Sequence, residues 1–319
     1  MPNLTLLDIA KLNGNDKVIG LIEENLSAAP ELEIFPIRQV KGTSFTTLKR
    51  TAYPATGFRA ANAGFTASKS AFTKQLTPLH IFGGIINVDA AVAKAHEDGP
   101  AVVEMIEASG IVRSAFINLG KQIWYGTTND ATGFPGLKTF TPFGGTMTVN
   151  ATGTTANTAT SVYAVKFGPQ DAQIVLNEGA RFELSPFKDQ QITDPNDATK
   201  MLRARVADLT SWVGFSVLNT NCCGRICNLT ADAGKGLTDA LLSSLFEAFP
   251  VGFAPDAIFA TKRSRGQLQR SRPVTIYSQA GVAPGKGGGN ATISATPTEF
   301  EGVPIIATDC ILNTDAIET

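Results

Sequence analysis

The stretch from Ile34 to Val88 contains no Asp or Glu. It carries seven basic residues: Arg38, Lys41, Lys49, Arg50, Arg59, Lys69 and Lys74. Pro36, Pro54 and Pro78 are spread along it, and proline excludes a helix interior because it lacks a backbone N–H and its ring clashes with the preceding turn. We therefore expect this stretch to be extended.

Thr, Ser, Ala and Gly dominate the same stretch, and its apolar residues are too few to close a core of their own. Short alternations at residues 45–48 and 71–73 are typical of strands. An isolated two-stranded ribbon is marginally stable in water. The sequence therefore predicts a long two-stranded excursion, from Ile34 to Val88, that rests on another surface.

The charge of the remaining chain complements this ribbon. The whole chain sums to -1 and the stretch carries +7, so the remainder carries -8. Five acids follow the stretch closely: Asp89, Glu97, Asp98, Glu104 and Glu107. We predict that the basic set and this acidic set meet between copies of the chain. A nearly neutral chain is not typical of proteins that bind nucleic acid by neutralising many phosphates.

The strongest helical pattern begins at Pro100 and runs to about Tyr125, where Gly126 is expected to end it. Its apolar stripe recurs at steps of three and four residues: Val102, Ile106, Val112, Phe116, Leu119 and Ile123. A helix of this length spans about 37 Å. It is the longest rigid element that the sequence predicts.

Weaker patterns predict the other elements. Helices are expected over residues 15–28 and from Leu237 to Phe249, the second capped by Thr238 or Asp239. Strands are expected at Ser161–Phe167, Ala172–Leu176, Trp212–Leu218, Ala257–Ala260, Val274–Tyr277 and Val303–Ala307. The run Lys262–Arg272 has five basic residues and no interleaved aromatic residue, so we expect a solvated or subunit-facing strand there, not a nucleic-acid patch.

No arrangement of residues points to catalysis or to metal binding. The two histidines lack ligand partners at suitable spacing, and the cysteines fit neither a disulfide framework nor paired zinc spacing, so we expect buried reduced thiols. A nucleophile elbow and a zinc-protease helix motif are both absent from the sequence. We predict no catalytic, metal or cofactor-binding residues and no cofactor. No stretch reads as a signal peptide or a membrane span, so a cytoplasmic, membrane-free protein is expected.

The order of these elements resembles the Hong Kong 97-type capsid fold of tailed-bacteriophage capsid proteins. The run WYGTTNDATGFPGL is similar to the family's segment after its spine helix, and FEGVPIIATDCILNTDA is similar to its closing strand. FAPDAIFATKRSRGQLQ looks like the axial segment of the short-tailed-phage group, and WVGFSVLNTNCCGRICNL looks like the strand pair before it. The resemblance covers nearly the whole chain and rests on the order of the motifs.

The resemblance implies an α+β architecture in five parts. These are an N-terminal arm (1–30), an extended loop (31–88), a peripheral domain with the spine helix (89–145), an axial domain with interleaved peripheral strands (146–290) and a closing peripheral strand (291–319). It implies a structural subunit that self-assembles through hexamers and pentamers into an icosahedral virion head around double-stranded DNA, in the cytoplasm of a bacterial host. The resemblance also implies that the chain is not an enzyme.

The resemblance also implies partners. A portal protein and DNA bound without sequence specificity are expected, with a separate scaffolding protein or none, and a cement protein is left open. Lys69 and Lys74 lack the sequence context of the cross-links that some members form, so we predict a shell without covalent cross-links. Alternatives are an encapsulin-like compartment, a tail or decoration protein and, last, an enzyme.

Overall fold

A computed structural model describes residues 4–13, 27, 29–179, 182–194, 197–272 and 295–319. The helix predicted over residues 15–28, apart from Ser27, and the strand predicted from Val274 to Tyr277 lie outside the described residues.

Helices and strands alternate irregularly along the described chain. The helices are α1 Leu6–Leu12, α2 Glu31–Ile34, α3 Ala90–Ala93, α4 Pro100–Tyr125, α5 Leu137–Phe140, α6 Asp239–Glu247 and α7 Lys262–Ser271. The strands are β1 Ile37–Val40, β2 Ser44–Ala52, β3 Ala71–Pro78, β4 His80–Asp89, β5 Thr148–Asn150, β6 Thr160–Val165, β7 Ala172–Asn177, β8 Glu183–Leu184, β9 Lys188–Asp194, β10 Asp197–Val217, β11 Cys223–Leu229, β12 Ala257–Ala260, β13 Glu299–Phe300 and β14 Val303–Ala307.

The strands form two six-stranded sheets and one two-stranded ribbon. The first sheet has the order β1-β7-β10-β4, with β8 and β9 also paired to β10. The second has the order β13-β14-β12-β6-β11-β5. The ribbon is β2 paired antiparallel with β3. This mixture of helices with mainly antiparallel strands confirms the predicted α+β class.

The ribbon is shorter than the sequence predicts. Within Ile34–Val88, only the part from Ser44 to Pro78 forms the free two-stranded ribbon. Strand β1 pairs with β7, and β4 pairs with β10, so both ends of the stretch belong to the first sheet. The reason is burial: Ile86 and Val88 of β4 pack into a small core with α1 and α4, and these two side chains fix the strand to the body.

Helix α4 has the predicted bounds and the predicted end. Gly126 follows it with a φ of 56°, a conformation that favours glycine. Of the predicted apolar stripe, only Leu119 and Ile123 are buried, while Phe116 is 44% exposed and the three residues before it are half-buried. The first half of the helix packs mainly through Val103 against the small core. The part of this apolar face before Leu119 is therefore only partly covered by its own chain.

One core joins the two sheets at the end of α4. Trp124 lies 5.0 Å, between ring centroids, from both Tyr163 of β6 and Phe259 of β12. Phe35, which precedes β1, and Phe215 of β10 belong to the same cluster. A second core, on the other face of the second sheet, is covered by α6 and α7. The two sheets therefore share the first core, whereas the second core belongs to the second sheet and its helices.

The structure corrects two predictions. The basic run Lys262–Arg272 forms helix α7, not a strand, because Thr261 caps it by accepting a hydrogen bond from the Ser264 backbone N–H and Leu268 is buried beneath it. The strand predicted at Trp212–Leu218 is the end of the much longer β10. The closing strand β14 pairs with β12 in the second sheet, and its predicted assignment to the peripheral domain stays a prediction.

A buried ion pair fixes the last described residues onto the second sheet. The Arg225 side chain is 2% exposed, and its guanidinium donates two hydrogen bonds to the Glu318 carboxylate, at 2.8 and 2.7 Å. Lys138 lies 2.8 Å from the same carboxylate. Asn228 donates to the Glu318 carbonyl and accepts from the Glu318 backbone N–H. The segment is thus held by both its side chain and its backbone.

Glu31 makes a second buried connection, between α2 and the end of the chain. Its carboxylate accepts hydrogen bonds from Trp124 Nε1 at 3.2 Å and from Thr308 Oγ1 at 2.8 Å. The residue is fully buried, and burial raises its pKa above the usual glutamate value. Trp124 and Thr308 are neutral donors, and their hydrogen bonds lower this pKa without outweighing the effect of burial.

Candidate assembly surfaces

The ribbon presents one face that mixes apolar and basic side chains. In its register Leu76 lies opposite Thr46, Lys74 opposite Leu48, and Phe72 opposite Arg50. Opposite residues of an antiparallel pair share a face. Leu48, Phe72 and Leu76 are each more than half exposed, which is unusual for large apolar residues that lie so close together. This set is called the ribbon face below.

The tip of the ribbon, residues 53–70, adds exposed aromatic rings covered by arginine. Tyr53, Phe58 and Phe65 are all highly exposed. The Arg50 guanidinium carbon lies 5.5 Å from the Tyr53 ring centroid, and that of Arg59 lies 5.6 Å from the Phe65 centroid. Such contacts stabilise by about 0.5–1 kcal/mol at exposed sites. These contacts hold the arginine side chains against the aromatic rings, and the rings stay exposed.

The base of the ribbon is fixed to its own body. Gln75 donates from Nε2 to the Val217 carbonyl at 3.0 Å, and Asn177 donates from Nδ2 to the Gly42 carbonyl at 2.6 Å. The Leu79 side chain is buried against the first sheet. The direction in which the ribbon leaves the subunit is therefore set by its base.

The basic residues predicted from the sequence are distributed along this projection. Arg38 and Lys41 lie at its base, where the Arg38 guanidinium covers the Phe45 ring and Lys41 lies 3.8 Å from the Glu178 carboxylate. The other five, Lys49, Arg50, Arg59, Lys69 and Lys74, lie on the strands or the tip. The structure confirms the projection, whereas the role of these charges between copies stays a prediction.

The predicted acidic residues lie elsewhere, around the end of β4 and the start of α4. Asp89 caps α3 by accepting from the Ala91 backbone N–H at 2.8 Å. Glu104 forms an ion pair with Arg205 at 3.1 Å and is largely covered. Burial raises the pKa of Glu107 above its usual value. Glu97 lies in the turn before α4.

The described part of one subunit does not bring the two sets together: no ion pair there joins any of the seven bases to Asp89, Glu97, Glu104 or Glu107. The pairing between copies stays a prediction. Glu104 is the least available partner, because its own chain already neutralises it.

A further exposed surface escaped the sequence prediction. On β4, Ile81 is 67% exposed and Ile85 is 62% exposed, while the alternate residues face α4. Trp212 and Asp208 of β10 lie opposite these two isoleucines and share their face. This set is called the outer sheet face below. The sequence of β4 does not indicate which of its sides the helix covers.

Nothing in the described part of the chain suggests chemistry. The four cysteines are free and buried, as predicted, and burial raises the pKa of Cys222 to about 12. In residues 4–13, 27, 29–179, 182–194, 197–272 and 295–319, no group of His, Cys, Asp and Glu has a metal-binding arrangement. Over the same ranges, no helix combines the length and apolar character needed to span a bilayer.

Comparison with known proteins gives a family and a fold. The family model described as Major capsid protein GP7 matches residues 37–318. No curated protein matches the chain. Among solved structures, a chain of Bacteriophage Epsilon15 is similar at 18% identity with a TM-score of 0.73, covering 99% of this chain and 97% of that one. This likeness establishes a shared fold.

Two further structures are more distant. A chain of the Bacteriophage JBD30 capsid is similar at 14% identity with a TM-score of 0.48, covering 96% of this chain and 99% of that chain. A chain of the SrpI encapsulin complex from Synechococcus elongatus PCC 7942 is similar at 7% identity with a TM-score of 0.46, covering 72% and 97%.

Proposed function

The chain belongs to the family of major capsid protein GP7, and we propose from this premise that its copies close into an icosahedral bacteriophage head around double-stranded DNA. It is a structural subunit with the Hong Kong 97-type fold, not an enzyme, and it works by assembling with itself. Hexamers and pentamers are the capsomers that we propose for such a shell.

The single observation that best supports this proposal is the ribbon face. A two-stranded ribbon with three exposed large apolar side chains on one face gains little from folding alone, because most of that surface stays in water. Stable protein interfaces bury about 1,200–2,000 Å² in total. A projection of this kind is suited to lie on a neighbouring subunit and to bury its apolar face there.

Charge supplies the second part of the proposal. We infer that the basic residues of the ribbon approach acidic residues of an adjacent copy. Among the described residues, Glu97 and Glu107 form no ion pair within their own chain. Each exposed ion pair contributes about 0–1 kcal/mol. Charge therefore guides register and encounter, whereas buried apolar area supplies most of the affinity.

Further partners follow from the same function. We propose a portal protein and a separate scaffolding protein, and we leave a cement protein open. A formal net charge of -1 is compatible with packaged DNA that is contacted without sequence specificity. Assembly in the host cytoplasm is part of the proposal, as is the division into arm, extended loop, peripheral domain and axial domain. We propose the closing strand β14 as part of the axial domain, and its pairing with β12 supports this assignment.

Expression of the chain followed by electron microscopy tests the proposal. Closed shells of uniform diameter are expected when the chain is produced, alone or with a scaffolding protein. Nuclease-protected DNA in particles made during infection would distinguish a genome container from an enzyme compartment. A chain that stays monomeric at high concentration under all these conditions would contradict the proposed function.

A further inference from the structure

A cavity of about 130 Å³ lies between helix α4 and the first sheet. Ten side chains line it, and all of them are aliphatic or aromatic. Leu119 and Ile123 line it from α4, and Ile174 and Leu176 line it from β7. Leu119, Ile123 and Ile174 belong to the first core. The side chains of this core therefore leave a space unfilled beneath the helix.

The cavity is open to solvent beside two stacked phenylalanine rings. The ring centroids of Phe116 and Phe182 are 5.5 Å apart, and both side chains line the cavity. Phe116 is partly exposed, and Ile37, which also lines the cavity, is more than half exposed. These side chains reach from the cavity wall into water. A small molecule can therefore enter along them while the subunit stays folded.

The walls of the cavity offer water little to bind. Strand β7 lies between β1 and β10, so the backbone groups of Ile174 and Leu176 face paired strands on both sides. The backbone groups in the middle of α4 bond within the helix. A buried water molecule needs about two to four polar partners. The cavity therefore favours an apolar occupant over water.

We propose that this cavity is a binding site for a small apolar molecule of about the size of one benzene ring. An apolar cavity of about 150 Å³, lined by Leu, Ile and Phe in another protein, stays dry and binds benzene. The present cavity has a similar volume and the same kinds of lining residue. An occupant restores the packing contacts that are missing between α4 and the sheet, so it stabilises the folded subunit.

The volume and the lining define the class of ligand. Pockets for drug-sized ligands measure about 300–1,000 Å³, so a molecule of that size does not fit without moving the helix. An ionised group would lose its hydration here without gaining a partner. The ligand is therefore an uncharged hydrocarbon or a single aromatic ring. Because the site lies within one subunit, the proposal does not depend on the proposed assembly into a shell.

Methyl NMR of the unassembled subunit tests the proposal through a benzene titration. Isotope-labelled isoleucine methyl groups report on both cores at once. The signals of Ile123 and Ile174 are expected to shift, because an aromatic ring beside them changes their local field, and to saturate with one common Kd. Ile226 and Ile258 lie in the second core and are the internal controls, so their signals should stay unchanged.

Pyrazine is the matched control ligand. It has the shape of benzene but carries two acceptor nitrogens at opposite ends of the ring, so at least one of them is buried without a donor. Its Kd is expected to be at least about tenfold higher. Equal affinity for the two ligands, unshifted lining methyls, or equal shifts in both cores would overturn the proposal. A cavity already filled by another protein segment would give unshifted methyls and count against it in the same way.

A variant that fills the cavity provides a second measurement. Leu176→Trp adds volume at the cavity, whereas Leu76→Trp makes the same change on the ribbon, where Leu76 is 61% exposed. At a benzene concentration of about ten times Kd, the Tm of the unmodified subunit and of Leu76→Trp should rise by about 2 °C. The Tm of Leu176→Trp should not respond, and an equal rise there would refute the site. If Leu176→Trp does not fold, the titration of the unmodified subunit still decides.

Discussion

Replacing Glu318 with alanine is expected to destabilise the subunit by about 3 kcal/mol, because it removes the carboxylate that neutralises a buried guanidinium. Arg225 is 2% exposed and cannot turn to solvent without displacing its neighbours. Two hydrogen bonds of 2.7 and 2.8 Å, and the contact with Lys138, are lost together. The substitution therefore tests whether this ion pair holds the final segment in place.

The magnitude follows from what remains around Arg225. Removing one partner of a buried ion pair costs about 3–5 kcal/mol. The Ser161 hydroxyl still accepts from the guanidinium at 2.9 and 3.1 Å, which favours the lower end of that range. An unfolding entropy of about 2.1 cal/mol/K per residue gives about 0.7 kcal/mol/K for the whole chain. A loss of about 3 kcal/mol then lowers Tm by about 4–5 °C.

Scanning calorimetry and urea unfolding of the unassembled subunit measure this effect. The matched control is Lys200→Ala, which removes an ion pair of 3.0 Å with Asp197 whose lysine side chain is 71% exposed. Its expected cost is below about 0.5 kcal/mol. If Glu318→Ala shifts Tm no more than this control, the buried pair contributes nothing and the reasoning is refuted.

The pH dependence of the same variant provides an independent measurement. Burial alone would raise the pKa of Glu318, but hydrogen bonds from Arg225 and Lys138 outweigh it and hold the pKa below its usual value. A lowered pKa contributes stability that is present above the unfolded value of about 4.3 and is lost as pH falls through the folded value. In Glu318→Ala, the free energy of unfolding should therefore fall less steeply as the pH is lowered through this range.

Three other substitutions probe the remaining features. Burial raises the pKa of Glu31, so the unmodified subunit should lose stability as pH rises from the unfolded value of about 4.3 through the folded pKa. Glu31→Gln should abolish this loss, as measured by urea unfolding at several pH values. Gly126→Ala should lower the free energy of unfolding by about 2 kcal/mol or more, because the φ of Gly126 is positive and a Cβ would lie 2.0 Å from the Gly136 nitrogen. The change in Tm measures this loss. Reversing Arg50 and Lys74 to Glu should leave the subunit folded, by circular dichroism, but reduce particle yield in sedimentation at least about tenfold.

Two controls accompany these substitutions. Gly110→Ala lies inside the same helix with open space around it and should stabilise by about 0.5–1 kcal/mol, so a loss there would point to a general intolerance of the helix. Replacing Lys262 and Arg270, both exposed on α7, with Glu changes the net charge by the same amount as the reversal of Arg50 and Lys74. Equal loss of particles in that control would show that total charge, not the ribbon, matters.

The sequence predicts best those elements whose signals are local. Helix α4 begins at Pro100 and ends before Gly126, and both residues act on their own backbone, so the bounds were predictable. Strands β12 and β14 were predicted with the observed bounds for the same reason. Helix α7 was missed because its single buried apolar residue, Leu268, gives no stripe to recognise.

Contacts between distant residues could not be predicted. Arg225 and Glu318 are 93 positions apart, and neither residue type normally indicates a buried pair. The basic ribbon was visible because it depends on composition alone. The outer sheet face was not, since the exposure of Ile81 and Ile85 depends on which side of β4 is covered by a helix 26 residues long that follows later in the chain.

Both strands of the ribbon are edge strands, because the two-stranded sheet contains only β2 and β3. Each therefore offers unpaired backbone N–H and C=O groups to any other extended chain, and edges of this kind are common starting points of aggregation. Lys49, Arg50 and Lys74 lie on these strands, and like charges repel two ribbons that approach edge to edge. The same cations that we assign to subunit contacts would thus keep newly made chains soluble until a shell accepts them.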